Sequence, residues 1–375
     1  MRAARMLLLA AGLVLTGPVA AADWTWRLPD YVPAPRVPTD NPMSAAKVDL
    51  GRRLFYDKRL SGEGDIACAS CHEQARAFTD GRALSPGATG ALTHRNSPSI
   101  VNAAWHATYT WANPALTTLE RQMEVPLFGD DPVEMGVTDA NKPKMLARLK
   151  AEPLYPPLFK AAFGDEAEPI SLANAIKAVA AFQRSAVSFD SRYDRYLQGK
   201  GSLSEAETRG MTLFFGERAE CHHCHGSFNV NDQVIHVNTR DAEIQFHNTG
   251  LYNIGRDGGY PFPNRGLFEF TAKPADMGAF RAPSLRNVAL TAPYMHDGSI
   301  KTLAEVIEVY SQGGRLVKAG PLKGDGRRNP HKSGLIARID LTAGEKSDLL
   351  AFLEALTDLT LPTDPRYADP WKQAQ

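Results

Sequence analysis

Apolar residues recur with helical spacing in both halves of the chain. Two stripes have the spacing of a single helix face: Leu172, Ile176, Val179 and Phe182, and Leu349, Leu350, Phe352, Leu353 and Leu356. Because residues three or four apart lie on the same side of an α-helix, each stripe predicts a helix that faces the core. The strict alternation of apolar and polar residues that indicates strands is scarce. The pattern therefore predicts a mainly α fold with long loops.

A shorter pattern occurs twice, once in each half. Residues 51–56 read Gly-Arg-Arg-Leu-Phe-Tyr, and residues 210–215 read Gly-Met-Thr-Leu-Phe-Phe. The helix that contains the first copy is expected to begin at about Ser44. The helix that contains the second is expected to open at Ser204, which forms a capping box with Glu207.

Each copy is followed by a Cys-x-x-Cys-His sequence, and the two copies are roughly 150 residues apart. This period is too long for a solenoid and is typical of duplicated domains. We therefore predict an N-terminal domain over residues 44–199 and a C-terminal domain over residues 200–375. A length of 375 residues is ample for both.

The N-terminal segment indicates export. Two arginines precede an apolar run over residues 6–15, and three alanines end at Ala22. This order predicts a cleavable signal peptide over residues 1–22, and the run is shorter than the ~20 residues of a membrane span. We therefore expect a periplasmic protein without a membrane anchor. Residues 23–43 hold five prolines and are expected to form an extended arm on the surface.

Charge narrows the range of partners. Lysine plus arginine equals aspartate plus glutamate, at 42 each. A chain without excess positive charge has no overall electrostatic preference for nucleic acid or for an anionic membrane. We therefore expect no nucleic-acid partner.

All four cysteines lie in the two Cys-x-x-Cys-His motifs: Cys68, Cys71 and His72, and Cys221, Cys224 and His225. In such a motif both thiols form thioethers with the haem vinyl groups, and the histidine becomes the proximal ligand of the iron. Zinc would need four ligands brought together from the two pairs, and a thioredoxin-like disulfide would not need a histidine after each pair. The sequence therefore predicts two covalently bound c-type haems.

From about residue 44 to residue 360, the chain resembles the bacterial di-haem cytochrome c peroxidase and MauG family. Beyond the haem motifs, the resemblance rests on Trp111 and on residues 95–104, 133–135, 285–298 and 303–310. It implies two cytochrome c-like haem domains with a calcium site at their interface. It also implies an enzyme that reacts with hydrogen peroxide.

Position 310 distinguishes the branches of this family. Its peroxidases carry methionine there as the distal ligand of the C-terminal haem, whereas MauG-type enzymes, including MauG and MbnH-like members, carry tyrosine. The resemblance therefore implies that Tyr310 ligates the iron held by His225, with Met295 as the alternative. A phenolate donor stabilises high oxidation states of iron, whereas a thioether raises the potential, so Tyr310 favours a haem that holds an oxidising equivalent.

At the N-terminal haem, peroxidases of the family often have a histidine on the loop that follows the haem motif, and it caps the iron at rest. In this chain the matching place is near Ala88, and His94 is expected to pack or hydrogen-bond instead. We therefore predict that the iron held by His72 has a side open to peroxide. Cleavage of the O–O bond requires a group that moves a proton between the oxygens, and the resemblance implies Glu134 for this role with Gln122 beside it.

Two further features come with the resemblance. Trp111 matches a tryptophan between the two haems, where an indole relays electrons, whereas we interpret Trp105 as a packed aromatic residue. Asn96, through its side chain, and Thr291 and Pro293, through their carbonyls, match the calcium ligands. Oxygen donors of this kind are those that calcium takes.

Three functions are compatible with these residues. The first is a MauG-type enzyme, in which peroxide forms a high-valent (bis-ferryl) state that oxidises a side chain, preferably tryptophan, of a periplasmic substrate protein. The second is a cytochrome c peroxidase that takes electrons from a small cytochrome or cupredoxin, and the third is a non-catalytic electron carrier. Glu134 and Gln122 would have no role in a carrier, and Tyr310 favours the first function. MauG uses a surface tryptophan where this chain has Ala219, so the substrate of MauG itself is not expected.

Overall fold

A computed structural model of the chain describes residues 24–164 and 166–372. The predicted signal peptide, residues 1–22, lies outside this range. Within the described residues, no helix has both the length and the apolar character needed to cross a bilayer.

Helices make up most of the regular secondary structure in these residues, and long loops join them. The α-helices are α1 (Ala45–Tyr56), α2 (Leu119–Phe128), α3 (Lys142–Ala151), α4 (Tyr155–Phe163), α5 (Leu172–Ser185), α6 (Arg192–Leu197), α7 (Glu205–Phe215), α8 (His222–His225), α9 (Phe268–Thr271), α10 (Leu303–Ser311) and α11 (Ala343–Ala355). Two short strands, β1 (Leu316–Val317) and β2 (Gly324–Asp325), pair antiparallel with Leu316 opposite Asp325. The prediction of a mainly α fold with long loops is confirmed.

The helices begin at the capping residues seen in the sequence. The Ser44 side chain accepts a hydrogen bond from the first turn of α1. Ser204 and Glu207 form a capping box at the start of α7, and Thr342 and Glu345 form another at the start of α11. These side chains satisfy backbone N–H groups that have no partner inside the helix.

Two helix pairs, α1 with α5 and α7 with α11, form the framework. A Cβ atom on Gly51 would lie 1.9 Å from the carbonyl oxygen of Ala178 in α5. A Cβ atom on Gly210 would lie equally close, 1.9 Å, to the carbonyl oxygen of Asp348 in α11. The glycine of the repeated sequence pattern therefore lets the two helices of each pair touch backbone to backbone.

Each helix pair has its own apolar core. Phe55 of α1 and Phe182 of α5 are fully buried in the first core. Phe214 of α7 and Phe352 of α11 occupy the second. The two cores account for the apolar stripes from which the helices were predicted.

The last described residues depart from the predicted division at residues 200–375. Leu361 belongs to the first core, and the indole nitrogen of Trp371 donates a hydrogen bond to the backbone of α1. The reason lies at the end of α11, where the Asp358 carboxylate accepts a hydrogen bond from the Ser188 hydroxyl at 2.9 Å. The chain thus leaves α11 beside the first half and continues along it, so a contiguous C-terminal domain does not describe this segment.

The described part of the proline-rich arm lies against both halves. The Tyr31 hydroxyl donates a hydrogen bond to Asp194 Oδ1 at 2.5 Å. The Trp105 indole donates to the carbonyl oxygen of Pro33 at 2.8 Å, and the amide of Val237 bonds to the next carbonyl of the arm at 3.0 Å. These bonds fix the path of the arm across the surface.

Candidate haem sites

The two predicted proximal ligands are held in the same way. Nδ1 of His72 lies 2.8 Å from the carbonyl oxygen of Phe78, and Nδ1 of His225 lies 3.1 Å from that of Val230. A carbonyl accepts only from a protonated Nδ1, so each ring keeps the lone pair of Nε2 for a metal. Burial lowers the pKa of both imidazoles, which favours the neutral form that binds iron.

The backbone and the repeated helix both shape these positions. Phe78 and Val230 adopt φ values of 61° and 53°, in the left-handed region that residues with large side chains seldom occupy. On α1 and α7, the rings of Phe55 and Phe214 each lie 6.5 Å, centroid to centroid, from the histidine ring of their half. The repeated sequence therefore supplies both the glycine of the helix crossing and an aromatic neighbour of the proximal histidine.

The cysteines fit attachment to haem better than the alternatives. All four are free thiols, and no disulfide joins them in the described residues. Burial raises the pKa of Cys68 and of Cys221 to about 12. Among the described residues, the groups that could hold a metal contain Cys224 but none of the other cysteines, so the two pairs do not form one zinc site.

The second haem motif opens into a large cavity. Its cysteines and histidine line the cavity together with Tyr310 from α10 and Met295 from the preceding loop. Burial, and after it the negative charges of the two thiolates, raises the pKa of Tyr310. Met295 packs in an apolar cluster that contains Trp111. Both candidate distal ligands thus line the same cavity as the second haem motif.

Three buried polar atoms on the wall of this cavity have no hydrogen-bond partner: Nη1 of Arg281, Nε2 of His106 and Nε2 of His296. Burial lowers the pKa of Arg281 to about 10 and that of His296 to about 4. A buried cationic group that keeps an unpaired N–H is costly, so an anionic acceptor in the cavity would stabilise Arg281. The propionate groups of a haem would meet this need. Sequence reasoning missed these residues because nothing local marks them, and only the fold brings them together.

In the half that contains His72, Glu134 and Gln122 lie on a helix and a loop that are hydrogen-bonded to each other. Gln122 lies on α2, and the loop that carries Glu134 is joined to that helix by a 2.8 Å bond from the Met135 amide to the Pro126 carbonyl. Both side chains are half-buried, and burial raises the pKa of Glu134. No direct hydrogen bond joins the two side chains in the described part of the chain.

Glu134 is connected to the loop that follows the first haem motif. Burial, and after it nearby charges that include the Glu134 carboxylate, raises the pKa of Cys68 to about 12. The Ala88 amide donates a 2.8 Å hydrogen bond to the backbone carbonyl of Glu134, so the loop position at which peroxidases have histidine lies next to Glu134. His94 lies elsewhere, with Nε2 3.3 Å from Oδ1 of the exposed Asp131.

Trp111 lies where the two halves meet. Its indole nitrogen donates a 2.8 Å hydrogen bond to the carbonyl oxygen of Asn96 in the first half. Its ring lines the second cavity, and so does Thr79, which directly follows Phe78 of the first site. The indole therefore shares this cavity with His225 and with the residue that follows Phe78.

The predicted calcium ligands also line this cavity. Asn96 comes from the first half, and Thr291 and Pro293 come from the second. The amide nitrogen of Asn96 donates to the carbonyl oxygen of Arg82 at 2.7 Å, which leaves its Oδ1 as an acceptor. The structure thus brings the three residues to the same cavity.

Comparisons with known proteins identify the family of this chain. A model of the di-haem cytochrome c peroxidase family matches residues 45–202. Cytochrome-c peroxidase IdrP1 of Denitromonas iodatirespirans is 36% identical over 97% of this chain and 96% of its own length. Methylamine utilization protein MauG of Methylorubrum extorquens is 34% identical over 92% of this chain and 88% of its own. The chain belongs to the di-haem cytochrome c peroxidase and MauG family.

Members of this family are haem oxidoreductases that act on peroxide, so the predictions of an enzyme and of two haems are confirmed. A solved structure extends the likeness. The crystal structure of a MauG-like protein associated with microbial copper homeostasis matches with a TM-score of 0.92 and 63% identity, covering 93% of this chain and 100% of that one. The fold is therefore that of the MauG-like di-haem proteins.

Proposed function

We propose that this chain is an exported MauG-type enzyme that uses hydrogen peroxide to oxidise a side chain, a tryptophan, of a periplasmic partner protein. The observation that carries the proposal is the place of Tyr310, which lines the same cavity as the cysteines and the histidine of the second haem motif. Export is supported by the signal-peptide pattern of residues 1–22 and by the Cys-x-x-Cys-His motifs, since c-type haem is attached outside the cytoplasm.

Tyr310 would serve as the distal ligand of the second haem. Burial raises the pKa of its phenol, so an anionic phenolate at this place needs a cation beside it. A bound haem would supply that cation as ferric iron, and a phenolate favours high oxidation states of the metal. This residue would let the second haem hold an oxidising equivalent.

Glu134 would move the proton during cleavage of peroxide at the first haem. Its carboxyl is half-buried, and its backbone carbonyl accepts a hydrogen bond from the amide of Ala88, which stands where peroxidases bear a capping histidine. Gln122 would orient peroxide by hydrogen bonding from the same helix-and-loop unit. A methyl group at position 88 cannot ligate iron, so the first haem would react without prior reduction.

Trp111 and a calcium ion would couple the two halves. The Trp111 indole is bonded to the first half and lines the cavity of the second, as a relay of electrons between the haems requires. Asn96 Oδ1 and the carbonyl oxygens of Thr291 and Pro293 would hold calcium at the same wall, where oxygen donors of both halves converge.

The partner is inferred from the relative with 63% identity, which is described as associated with microbial copper homeostasis. We infer a partner protein that takes part in copper handling. Mass spectrometry of such a partner after exposure to enzyme and peroxide should show oxygen added to a tryptophan.

The decisive experiment adds peroxide to the ferric enzyme without a reductant. The proposal predicts a long-lived oxidised state with a near-infrared band. Trp111→Phe should weaken that band, whereas Trp371→Phe, which alters an indole packed against α1 and Tyr155, should not.

The second candidate function is a cytochrome c peroxidase. It is favoured by the relatives that are named cytochrome-c peroxidases and by Met295, which lines the second cavity. Rapid oxidation of a reduced small cytochrome or cupredoxin, without a long-lived oxidised state of the enzyme, would favour the cytochrome c peroxidase function. A thioether absorption band in the wild-type protein would identify Met295 as the ligand.

A further inference from the structure

Three of the five tryptophans form a continuous row between the second cavity and the N-terminal arm. The ring of Trp26 lies 6.4 Å, centroid to centroid, from Trp105, and the ring of Trp24 lies 5.6 Å from Trp26. Trp371, by contrast, packs beside Tyr155 in the first half. The arm thus brings two aromatic rings, those of Trp24 and Trp26, into a row with the buried ring of Trp105. Exposure to solvent does not explain why these positions are aromatic.

The inner end of the row lies at the wall of the second cavity. Trp105 is fully buried, and the next residue, His106, lines the cavity. The Trp105 ring also lies 5.8 Å from the ring of Phe228, three residues after His225. Trp105 is therefore one residue from the wall of the cavity that contains the second haem motif, and its ring packs against the segment that follows His225.

The outer end of the row reaches the surface. Trp24 and Trp26 are half-buried, and Trp26 lines a surface cleft of about 780 Å³. The cleft also presents the charged groups of Asp190, Lys200 and Arg366. A side chain of another protein can approach the indole of Trp26 at this cleft.

We propose that Trp105, Trp26 and Trp24 form an electron-transfer chain that carries oxidising equivalents from the second haem to the arm, where a partner protein presents an oxidisable aromatic side chain. This inference rests on the proposed function, which supplies the oxidant. Indoles are among the most easily oxidised side chains, and electron tunnelling falls steeply with distance, so rings in contact exchange electrons fast.

The electrons balance as follows. In each passage an electron would move from the partner to Trp24 and on to Trp26, or directly to Trp26 at the cleft, and then to Trp105 and to the haem pair. Two passages deliver the two electrons that, with two protons, reduce one hydrogen peroxide to two water molecules. The Trp105 indole proton is bonded to a carbonyl oxygen, which is too weak a base to remove it, so the oxidised indole keeps its proton and passes the charge on.

Without a partner, the arm itself should become oxidised. An indole that loses two electrons and takes up water gains one oxygen atom and releases two protons. Mass spectrometry of the enzyme with both haems, treated with peroxide alone, should therefore find oxygen at Trp24 and Trp26. In Trp26→Phe the oxidation of Trp24 should be lost, and the near-infrared band should decay about tenfold more slowly because phenylalanine is not oxidised at these potentials. Trp26→Tyr should partly restore both.

A control separates electron transfer from docking of the arm. Leu28 packs in the same cluster as Trp105, and Leu28→Ala removes an apolar contact of the arm without removing an indole. The hydrogen bonds made by Tyr31 and Pro33 do not involve the substituted side chain and should still hold the arm. In Leu28→Ala the near-infrared band should decay at the wild-type rate, and Trp24 should still be oxidised.

The outcomes distinguish this inference from the proposed function. If wild type forms the near-infrared band but its arm is not oxidised, or if Leu28→Ala behaves as Trp26→Phe does, the electron-transfer chain is wrong and the proposed function stands. If wild type forms no band and the arm is not oxidised, both are wrong. Oxidation of Trp24 that depends on an indole or phenol at position 26 supports the chain.

Discussion

The His72 and His225 sites are alike in the residues that hold the histidine and differ in the other polar groups that each half contributes. In both halves a histidine Nδ1 bonds to a carbonyl of a residue with positive φ, and a phenylalanine of the repeated helix lies 6.5 Å away. The first half adds a half-buried carboxyl, Glu134. The second adds the phenol of Tyr310 and a buried guanidinium, Arg281. A duplicated scaffold therefore repeats the surroundings of the histidine, and under the proposed function the loops would make one site reactive and the other a store.

The largest effect on the reaction with peroxide is expected from a change at Glu134, the carboxyl group that distinguishes the first half from the second. Glu134→Gln keeps the shape of the side chain but removes the group that accepts a proton, so the reaction with peroxide should slow by about 10²- to 10⁴-fold. Stopped-flow absorbance of the ferric enzyme measures this. Glu124→Gln, an exposed change on the same helix as Gln122, is the control and should react as wild type does.

The pH dependence of the same step follows from burial. Burial raises the pKa of Glu134 above the ordinary glutamate value, and the ionised form is the one that accepts the proton. The rate should therefore fall as the pH drops through this raised pKa. A wild-type rate with the same pH profile as Glu134→Gln would contradict the assignment.

The next effect concerns the second half. Tyr310→Phe should change the spectrum of the second haem and shorten the life of the oxidised state by about tenfold or more, equivalent to ~1.4 kcal/mol or more in the barrier. Tyr294→Phe is the matched control, because Tyr294 lines the same cavity and its hydroxyl bonds to the Val288 carbonyl at 3.1 Å. An unchanged spectrum in Tyr310→Phe would show that another group is the ligand.

The shared framework predicts equal effects in the two halves. Gly51→Ala and Gly210→Ala each place a methyl group against a helix backbone, so each should lower the free energy of unfolding by about 1–3 kcal/mol. Denaturant unfolding followed by circular dichroism measures this loss. Gly334→Ala, where no atom lies within 4 Å of the new Cβ, should be near neutral. If only one of the two substitutions lowered the free energy of unfolding strongly, the two helix pairs would not be equivalent.

The smallest effect is expected at His94. Its ring pairs with an exposed carboxylate, and surface ion pairs contribute ~0–1 kcal/mol. His94→Ala should therefore leave the ferric spectrum of the first haem and its peroxide reaction unchanged. A shift of that spectrum would mean that His94 reaches the iron in solution.

Much of the fold could be predicted because its signals are local. Ser44, Ser204 and Thr342 mark helix starts within four residues of the turns that they cap, and the apolar stripes follow one helix face. The path of the C-terminal segment could not be predicted. It depends on the contact between Asp358 and Ser188, which are 170 residues apart.

By itself, the sequence determined the chemistry that depends on spacing along the chain: two Cys-x-x-Cys-His motifs and the repeated glycine and phenylalanine that serve each of them. The tertiary structure decided which distant residues share a wall. Arg281 and His106 face one cavity with unpaired polar atoms, and the arm places Trp26 against Trp105. The physical reason is that a covalent motif is set by bond lengths between neighbours, whereas a buried charge or a ring contact exists only when packing brings remote segments together.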